Sequence, residues 1–521
     1  MRQRRHLLPA LVVTSLVAGT LGGTAAYALY FRTERYRHRV EARLTDFFQL
    51  PTEVGGIDPH TFHSRVIRDI RIWLPDRRDR VFLSPAAIWH QSGPRERPAV
   101  QIDVMGGKLT IGSEQWLPED YWRVLRAAFS RNIEEMDLRE VRFNGVDFIW
   151  PRRDLHMTAE NVTGRVVFDE QHRGEATLVA QSLNGNEVEE PVHIFARVLP
   201  LADDFLPEVR LTLPILPISV LNLGSLLGHP VRAGRFGGTV TYRQQGSVQT
   251  VQISGQAEDV DLSELTAALP YGPVPGRVTL RIHDALVPTP FDAERASVRF
   301  SARIEDLAFG PLASRLGYPE IRGRARLMIH QAQFDGRRVR EFVLSGRLDE
   351  IPLDEASRRM GIGVVTGRLS VRLNSLHVAD DQIVLLDADV DVAPPPGGGT
   401  IDRVLLLGLF EEYVGIPLPK DMLPERIGFV QMGGRILVNN GRMRILGAQS
   451  TGRQSILTLQ VLGQELPIPP PAGTFSIQHV LDQFQAKARG LDLETLRRWW
   501  RQSAPQTAPV TQPASALEGP G

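Results

Sequence analysis

There is no cysteine among the 521 residues. This excludes structural disulfides, thiolate zinc sites, iron–sulfur clusters and a cysteine nucleophile. It also suits a bacterial envelope protein that avoids uncontrolled oxidation. Neither sign of charge is in excess, with 60 basic and 60 acidic residues. A nucleic-acid-binding body normally carries a basic excess, so no nucleic acid is expected as a partner. The motifs of common enzymes are missing as well. No P-loop is present, and Gly361, Gly363 and Gly367 miss the dinucleotide spacing. The stretch from Gly447 through Ser450 to Gly452 is one residue too long for a nucleophile elbow. His60 and His63 follow Pro59 with no glutamate between them, so the zincin pattern fails. The expectation is a protein that is not an enzyme, with no cofactor and no metal.

What is present is apolar and turn-rich. Hydrophobic residues make up 42% of the chain, enough for a large core, and the 46 Gly and 37 Pro favour many short strands. From Leu7 to Phe31 the chain carries no charge. That exceeds the ~20 residues that cross a bilayer. Arg2, Arg4 and Arg5 precede the run and favour a cytoplasmic N-terminus, although Arg32, Arg35, Arg37 and Arg39 follow it. Tyr27, Tyr30, Phe31 and Tyr36 stand where an interfacial aromatic belt would. The other reading is a cleaved signal peptide, for which Ala26-Tyr27-Ala28 offers a small-x-small site. Either way the body is exported. The 7-residue apolar stretch Val404–Phe410 is too short to be a second span.

Beyond the span, Leu44–Phe48 reads as part of a helix and Trp116–Phe129 as an amphipathic one. Strand signals lie at Gln101–Val104, Lys108–Ile111 and Asp137–Phe143. From about residue 155 to 465, period-two alternation dominates, as in Arg277–Ile282, Arg324–Leu327, Arg368–Leu373 and Val384–Val392. Such alternation dries one face of a sheet and wets the other. Pro394–Gly399 reads as a loop, Arg403–Tyr413 as a helix, and the stretch from Ser503 as a disordered tail.

A block recurs without gaps: SGQAEDVDLSEL from Ser254, SARIEDLAFGPL from Ser301, SGRLDEIPLDEA from Ser345 and, displaced, QAKARGLDLETL from Gln485. Each has a small residue near a strand end, an acidic turn in most copies, an apolar-x-apolar pair and then a short helix. Ser263 and Asp354 are expected N-caps, and Pro311 fits a first helical position. Recurrence at this spacing implies units that stack, each burying the open side of its neighbour.

The single N-terminal span and the strand pairs Gly276–Val287, Ile321–Val339, Val365–Leu385 and Gly433–Gly447 together resemble the AsmA-like family of bacterial envelope proteins, relatives of the bridge-like lipid-transfer proteins. The resemblance covers most of residues 1–500 and rests on rhythm more than on invariant residues. It implies a mainly β fold with short helices: an N-terminal transmembrane helix and a curved antiparallel β-groove, solenoid-like, apolar on its concave face. The expected organisation is a membrane anchor over 1–40, a membrane-proximal mixed α/β segment over 41–150 and a repetitive β-groove body over 151–400. A β-rich segment with helices (401–502) and the tail (503–521) complete it. The expected location is the inner membrane, single-pass, with the body in the periplasm. Its partners would be membrane lipids and envelope proteins. The chain is too short to bridge two membranes alone.

The residues expected to line such a groove are Val278, Leu280, Ile282, Ala325, Leu327, Ile329, Leu369, Val371, Leu373, Val384, Leu386, Val390, Ile436 and Val438. The competing reading is an ordinary closed core in a non-enzymatic envelope scaffold that binds proteins. The opposite faces carry Arg277, Arg281, Arg322, Arg324, Arg326, Arg368 and Arg372. These read either as contacts for lipid headgroups or an anionic partner, or as a solvated face that blocks aggregation. Asp387, Asp389 and Asp391 share one face of one strand, ~7 Å apart. A straight strand splays such carboxylates too far for a calcium loop. Trp499 and Trp500, among Arg497, Arg498 and Arg501, either touch a membrane or cap the last repeat. The anchor makes a direct prediction. Membrane fractions should release the full chain to detergent and not to high salt, and removing residues 1–31 should free it.

Overall fold

The computed structural model describes residues 29–476, except 49, 62, 74–79, 94–97, 111–136, 152–155, 171–172, 199–207, 222–229, 246–247, 268–272, 290–293, 309, 316–321, 337, 361–362, 410–422 and 448–453. The expected apolar span Leu7–Phe31 (except Leu29, Tyr30 and Phe31), the helix over 116–129, the fourth repeat block, the tryptophan pair and the tail all lie outside these residues. Among the described residues no helix is long and apolar enough to cross a membrane.

The fold is mainly β, with few and short helices and a long, almost wholly antiparallel sheet of many strands. The chain divides into two compact units, one up to Gly255 and one from Gln256. Among the described residues of the first, helix α1 (Glu34–Phe48) packs on a hairpin. That hairpin is β2 (Gly56–Thr61) with β3 (Ser64–Trp73), and β1 (Thr52–Glu53) pairs with β3 as well. Phe31 and Tyr36 are two of the four aromatics expected from the sequence in an interfacial belt. Both are buried with Leu44, Ile57, Ile67 and Ile70. Their rings meet edge to face at 4.7 Å, and the Arg65 guanidinium lies 5.0 Å from the Phe31 ring centre. Arg65 also donates to the Tyr36 hydroxyl. Burying two rings under a cation ties the start of the described chain to the sheet.

Strands β4 (Arg80–Ser92), β5 (Ala99–Met105) and β6 (Lys108–Thr110) follow. Both β5 and β6 run parallel to β7 (Asp137–Pro151), the exception to the antiparallel rule. From β7 the chain meanders through β8 (His156–Phe168), β9 (Gly174–Leu183), β10 (Asn186–Val198), β11 (Glu208–Pro217) and β12 (Arg235–Gln245), each paired with its predecessor. Their inner residues close a core of Val146, Phe148, Val162, Leu178, Leu183, Val192 and Ile194. Strand β9 shows why: it alternates buried and exposed almost residue by residue. The division between the units falls within β13 (Val248–Asp261).

In the second unit, β14 (Arg277–Thr289), β15 (Ser297–Ala308), β16 (Arg324–Asp335), β17 (Arg338–Pro352), β18 (Arg368–Ala379) and β19 (Gln382–Ala393) pair in sequence order. β20 (Gly399–Asp402) follows, and β19 and β20 both pair with the long β21 (Arg426–Asn439). β21 in turn holds β22 (Arg442–Leu446) and β23 (Leu457–Val461). β24 (Gln464–Ile468) and the two-residue β25 (Phe475–Ser476) complete this end. Helix α5 (Arg403–Leu409) drives Leu406 into a second core with Ile401, Ile427, Phe429 and Leu459.

The repeat blocks occupy equivalent places. Each ends a long strand, β13, β15 or β17, and runs into a short helix: α2 (Leu262–Leu265), α3 (Gly310–Arg315) or α4 (Leu353–Met360). The acidic position is not a turn, as expected from the sequence, but a kink inside a continuous strand. Asp259, Asp306 and Glu350 stand at the same place in each block, with φ of 50°, 51° and 64°. Asp69 in β3 and Asn161 in β8 have the same conformation. Short polar side chains tolerate this left-handed geometry better than other non-glycine residues. The N-cap of α2 is Asp261, which accepts the Ser263 N–H at 2.7 Å, so Ser263 is the capped residue and not the cap. Asp354 likewise lies inside α4.

The same hydrogen bonds tie two of these helices to the hairpin that follows. Leu262 N–H donates to Gly276 O and Leu353 N–H to Gly367 O, both at 3.0 Å. Thr266, the C-cap of α2, and Ser357, one turn into α4, accept the N–H groups of Val274 and Val365 at 2.8 and 3.0 Å. Close backbone approach sets one further requirement. Gly164 has φ +144°, and a Cβ there would lie 2.2 Å from Thr177 O. Gly164→Ala should therefore cost roughly 1–3 kcal/mol in urea unfolding. Gly56→Ala, where a Cβ meets nothing within 4 Å, should be neutral or stabilise by up to ~1 kcal/mol.

Candidate functional site

In an antiparallel ladder, residues directly opposite each other point to the same side of the sheet. Following partners across the second unit turns the alternating strands into rows. One row runs Val278, Ile304, Leu327, Gly346, Leu373, Ala388, Ile436 and Ile445. The next runs Leu280, Ala302, Ile329, Leu344, Leu376, Leu386, Val438 and Met443. A third joins Ile282, Phe300, Ala332, Phe342 and Val378. On the other side of the first, Ala325, Leu348, Val371, Val390 and Gly434 form a fourth. At strand spacings of ~4.8 Å, an eight-strand row extends roughly 34 Å.

Thirteen of the fourteen residues expected from the sequence fall on this face: those of β14, β16, β18 and β21, Leu386 and Val390 on β19, with Leu369 beside Val392 at the margin. Val384 does not join a row. The ladder passes from Leu385 to Ile383, which leaves Val384 as the extra residue of a bulge, and its carbonyl accepts the Asn440 N–H at 2.9 Å.

The lining expected from the sequence left out the apolar residues of the intervening strands β15 and β17 and of the far halves of β16 and β18. β15 supplies Phe300 and Ile304, and β17 supplies Phe342, Leu344 and Leu348. The far halves supply Ala332 and Phe334 on β16 and Leu376 and Val378 on β18. The rings of Phe300 and Phe334 stack at 6.1 Å. The cause is a bulge at the same place in three strands. The ladder slips at His283, His330 and Asn374. One extra residue moves the following apolar side chains to the other parity, so strict alternation stops where the face continues. The three segments RIHDAL, MIHQAQ and RLNSLH align at that position, and this was the readable signal.

The face is not closed as the core of the first unit is. Its small residues, such as Ala302, Ala325, Ala332 and Ala388, are buried. Most of its large ones, including Leu280, Phe300, Leu344, Leu373, Leu376 and Leu386, remain half-buried. Along β17 and β18 the strict buried–exposed alternation of β9 gives way to partial exposure.

The reverse face is polar. Arg277, Arg281, Arg322, Arg324, Arg326, Arg368 and Arg372 are all exposed. Two of the three aspartates of β19, Asp387 and Asp389, have side-chain partners. Arg435 Nε and Nη2 donate to the two oxygens of Asp387 at 2.7 and 2.6 Å. Asn374 Nδ2 donates to Asp389 at 2.9 Å and to Asp387 at 3.3 Å. Among the described residues no group of three or more His, Asp or Glu is placed to hold a metal. Compared with known protein families, curated proteins and solved structures, the chain matches none.

The hydrogen bonds from Arg435 hold the Asp387 carboxyl below its ordinary range; burial opposes this and Asn374 adds to it. A carboxyl depressed in the folded state stabilises the fold above its unfolded pKa of about 3.9, and that stability is lost as pH falls through the folded value. Asp387→Asn should therefore lower the melting temperature at pH 7. The gap to wild type should begin to narrow as the pH falls to about 4 and close only below the depressed folded-state value.

Proposed function

We propose that the chain is a membrane-anchored, non-enzymatic envelope protein whose second unit is an apolar β-groove that binds lipids and passes them on or assists outer-envelope assembly. The observation that carries this reading is the set of in-register apolar rows whose large side chains stay half-buried. An acyl chain laid on such a surface gains ~0.8 kcal/mol per buried CH₂, so ten methylenes supply about 8 kcal/mol before the cost of immobilisation. No catalytic group is needed for that task. The resemblance to AsmA-like proteins and the apolar run Leu7–Phe31 support the same reading, with the anchor in the inner membrane and the body in the periplasm. The closed core of the first unit favours a scaffold role for that part, with envelope proteins as its partners.

Native mass spectrometry of the full chain released from detergent tests the proposal. Wild type should carry lipid adducts. Leu344→Asp with Leu376→Asp, two neighbours in one row, should lose at least nine-tenths of them with circular dichroism unchanged. Thr279→Asp, on the reverse face, should keep them. Repeated preparations of wild type without lipid would sink the groove.

A further inference from the structure

The reverse face carries a feature that the lipid reading does not use. Arg326, Arg347 and Arg372 stand directly opposite one another on β16, β17 and β18. All three are exposed, with Arg324 and Arg368 exposed nearby. Directly opposed like charges destabilise a sheet. Elsewhere the chain pairs such arginines with an acid on the same or an adjacent strand: Arg139 with Asp137, Arg142 with Glu140, Arg210 with Glu208 and Arg435 with Asp387. Within this ladder only Arg347 is paired, to Asp349 at 2.6 Å. Arg326 and Arg372 have no ion pair among the described residues.

We propose that this ladder is the docking surface for an acidic amphipathic helix of a protein partner, laid across the strands. The rungs are ~4.8 Å apart, and carboxylates at i, i+4 and i+7 of a helix are spaced by its pitch of ~5.4 Å. Guanidinium forks match carboxylates two bonds at a time. The row also has a direction. Its next position, opposite Arg372, is Asp389, and Asp391 lies exposed on the same strand. A uniformly anionic membrane would press phosphates against these aspartates. A helix with three acids followed by a base fits the sequence of charges. This inference does not depend on the groove, which lies on the opposite side of the sheet.

The test uses the full chain in detergent and a labelled helical peptide with Glu at i, i+4 and i+7 and Lys at i+11, read by fluorescence anisotropy. Wild type should bind it, more weakly as salt rises. Arg326→Gln, Arg347→Gln and Arg372→Gln combined should weaken binding at least tenfold. The combination should melt close to wild type, because the repulsion it removes offsets the loss of the exposed Arg347–Asp349 pair. Arg372→Gln alone should show part of the loss and serves if the triple variant misfolds. Arg139→Gln with Arg142→Gln should bind as wild type does. The proposal is overturned by absence of binding to wild type, by equal binding to the triple variant, or by equal binding of a scrambled peptide. It is also overturned if vesicles of anionic phospholipid bind through the ladder in preference to the peptide.

Discussion

Everything in the second unit depends on keeping apolar side chains on one side of strands that do not alternate perfectly. A strand of 12 to 15 residues, such as β16 or β17, follows a twisted, curved sheet by bending, and bulges supply the bend and add to the twist. Each bulge would flip the following residues to the wrong face unless the amino-acid pattern shifted with it. It does shift. Past His330 the apolar residues of β16 move from odd to even positions, from Ile329 to Ala332 and Phe334, and past Glu350 those of β17 move the other way, from Leu348 to Ile351. At Glu350 the left-handed residue and the change of parity coincide, whereas at His330 the parity changes without one. The paired form is the one that the first unit repeats. It recurs at Asp69 and Asn161 in the first unit, where the buried series steps from Ile67 to Ile70 and from Ala159 to Val162.

The same pairing rules serve two outcomes. In the first unit the inner face is dried by protein, and Val146, Val162 and Val192 have almost no exposure. In the second, the face is as apolar but less covered. Alanines at its floor are buried while leucines and phenylalanines around them keep part of their surface. Segregation of charge to the other side follows from the same register, which brings Arg326, Arg347 and Arg372 into line as surely as it brings Leu327 and Leu373 into one row.

Strand existence was legible wherever alternation was strict, so β14, β16, β18 and β19 and the residues Val278 to Ile282 or Leu369 to Leu373 could be read directly. The repeat was legible too, because the Ser254, Ser301 and Ser345 blocks each end a strand and open a helix. What could not be read was the geometry at the acidic position. A turn and a left-handed kink within a strand place the same demand on an Asp or Glu, and only pairing with the neighbouring strand separates them. The far halves of the rows were hidden for a related reason: one inserted residue ends a period-two pattern even though the face goes on. Val384 is the inverse case, a residue of the right parity that the bulge sets aside.

From β14 to β19 each strand pairs with the one that precedes it in the chain, and α2 and α4 close on glycines only fourteen residues further along, at Gly276 and Gly367. No strand of this series waits for a partner from a distant part of the sequence, so loop-closure entropy stays small at every step. Such a chain can assemble in order as it emerges from a narrow exit, each hairpin templated by its predecessor. The nascent edge exposed at any moment is then a single strand long.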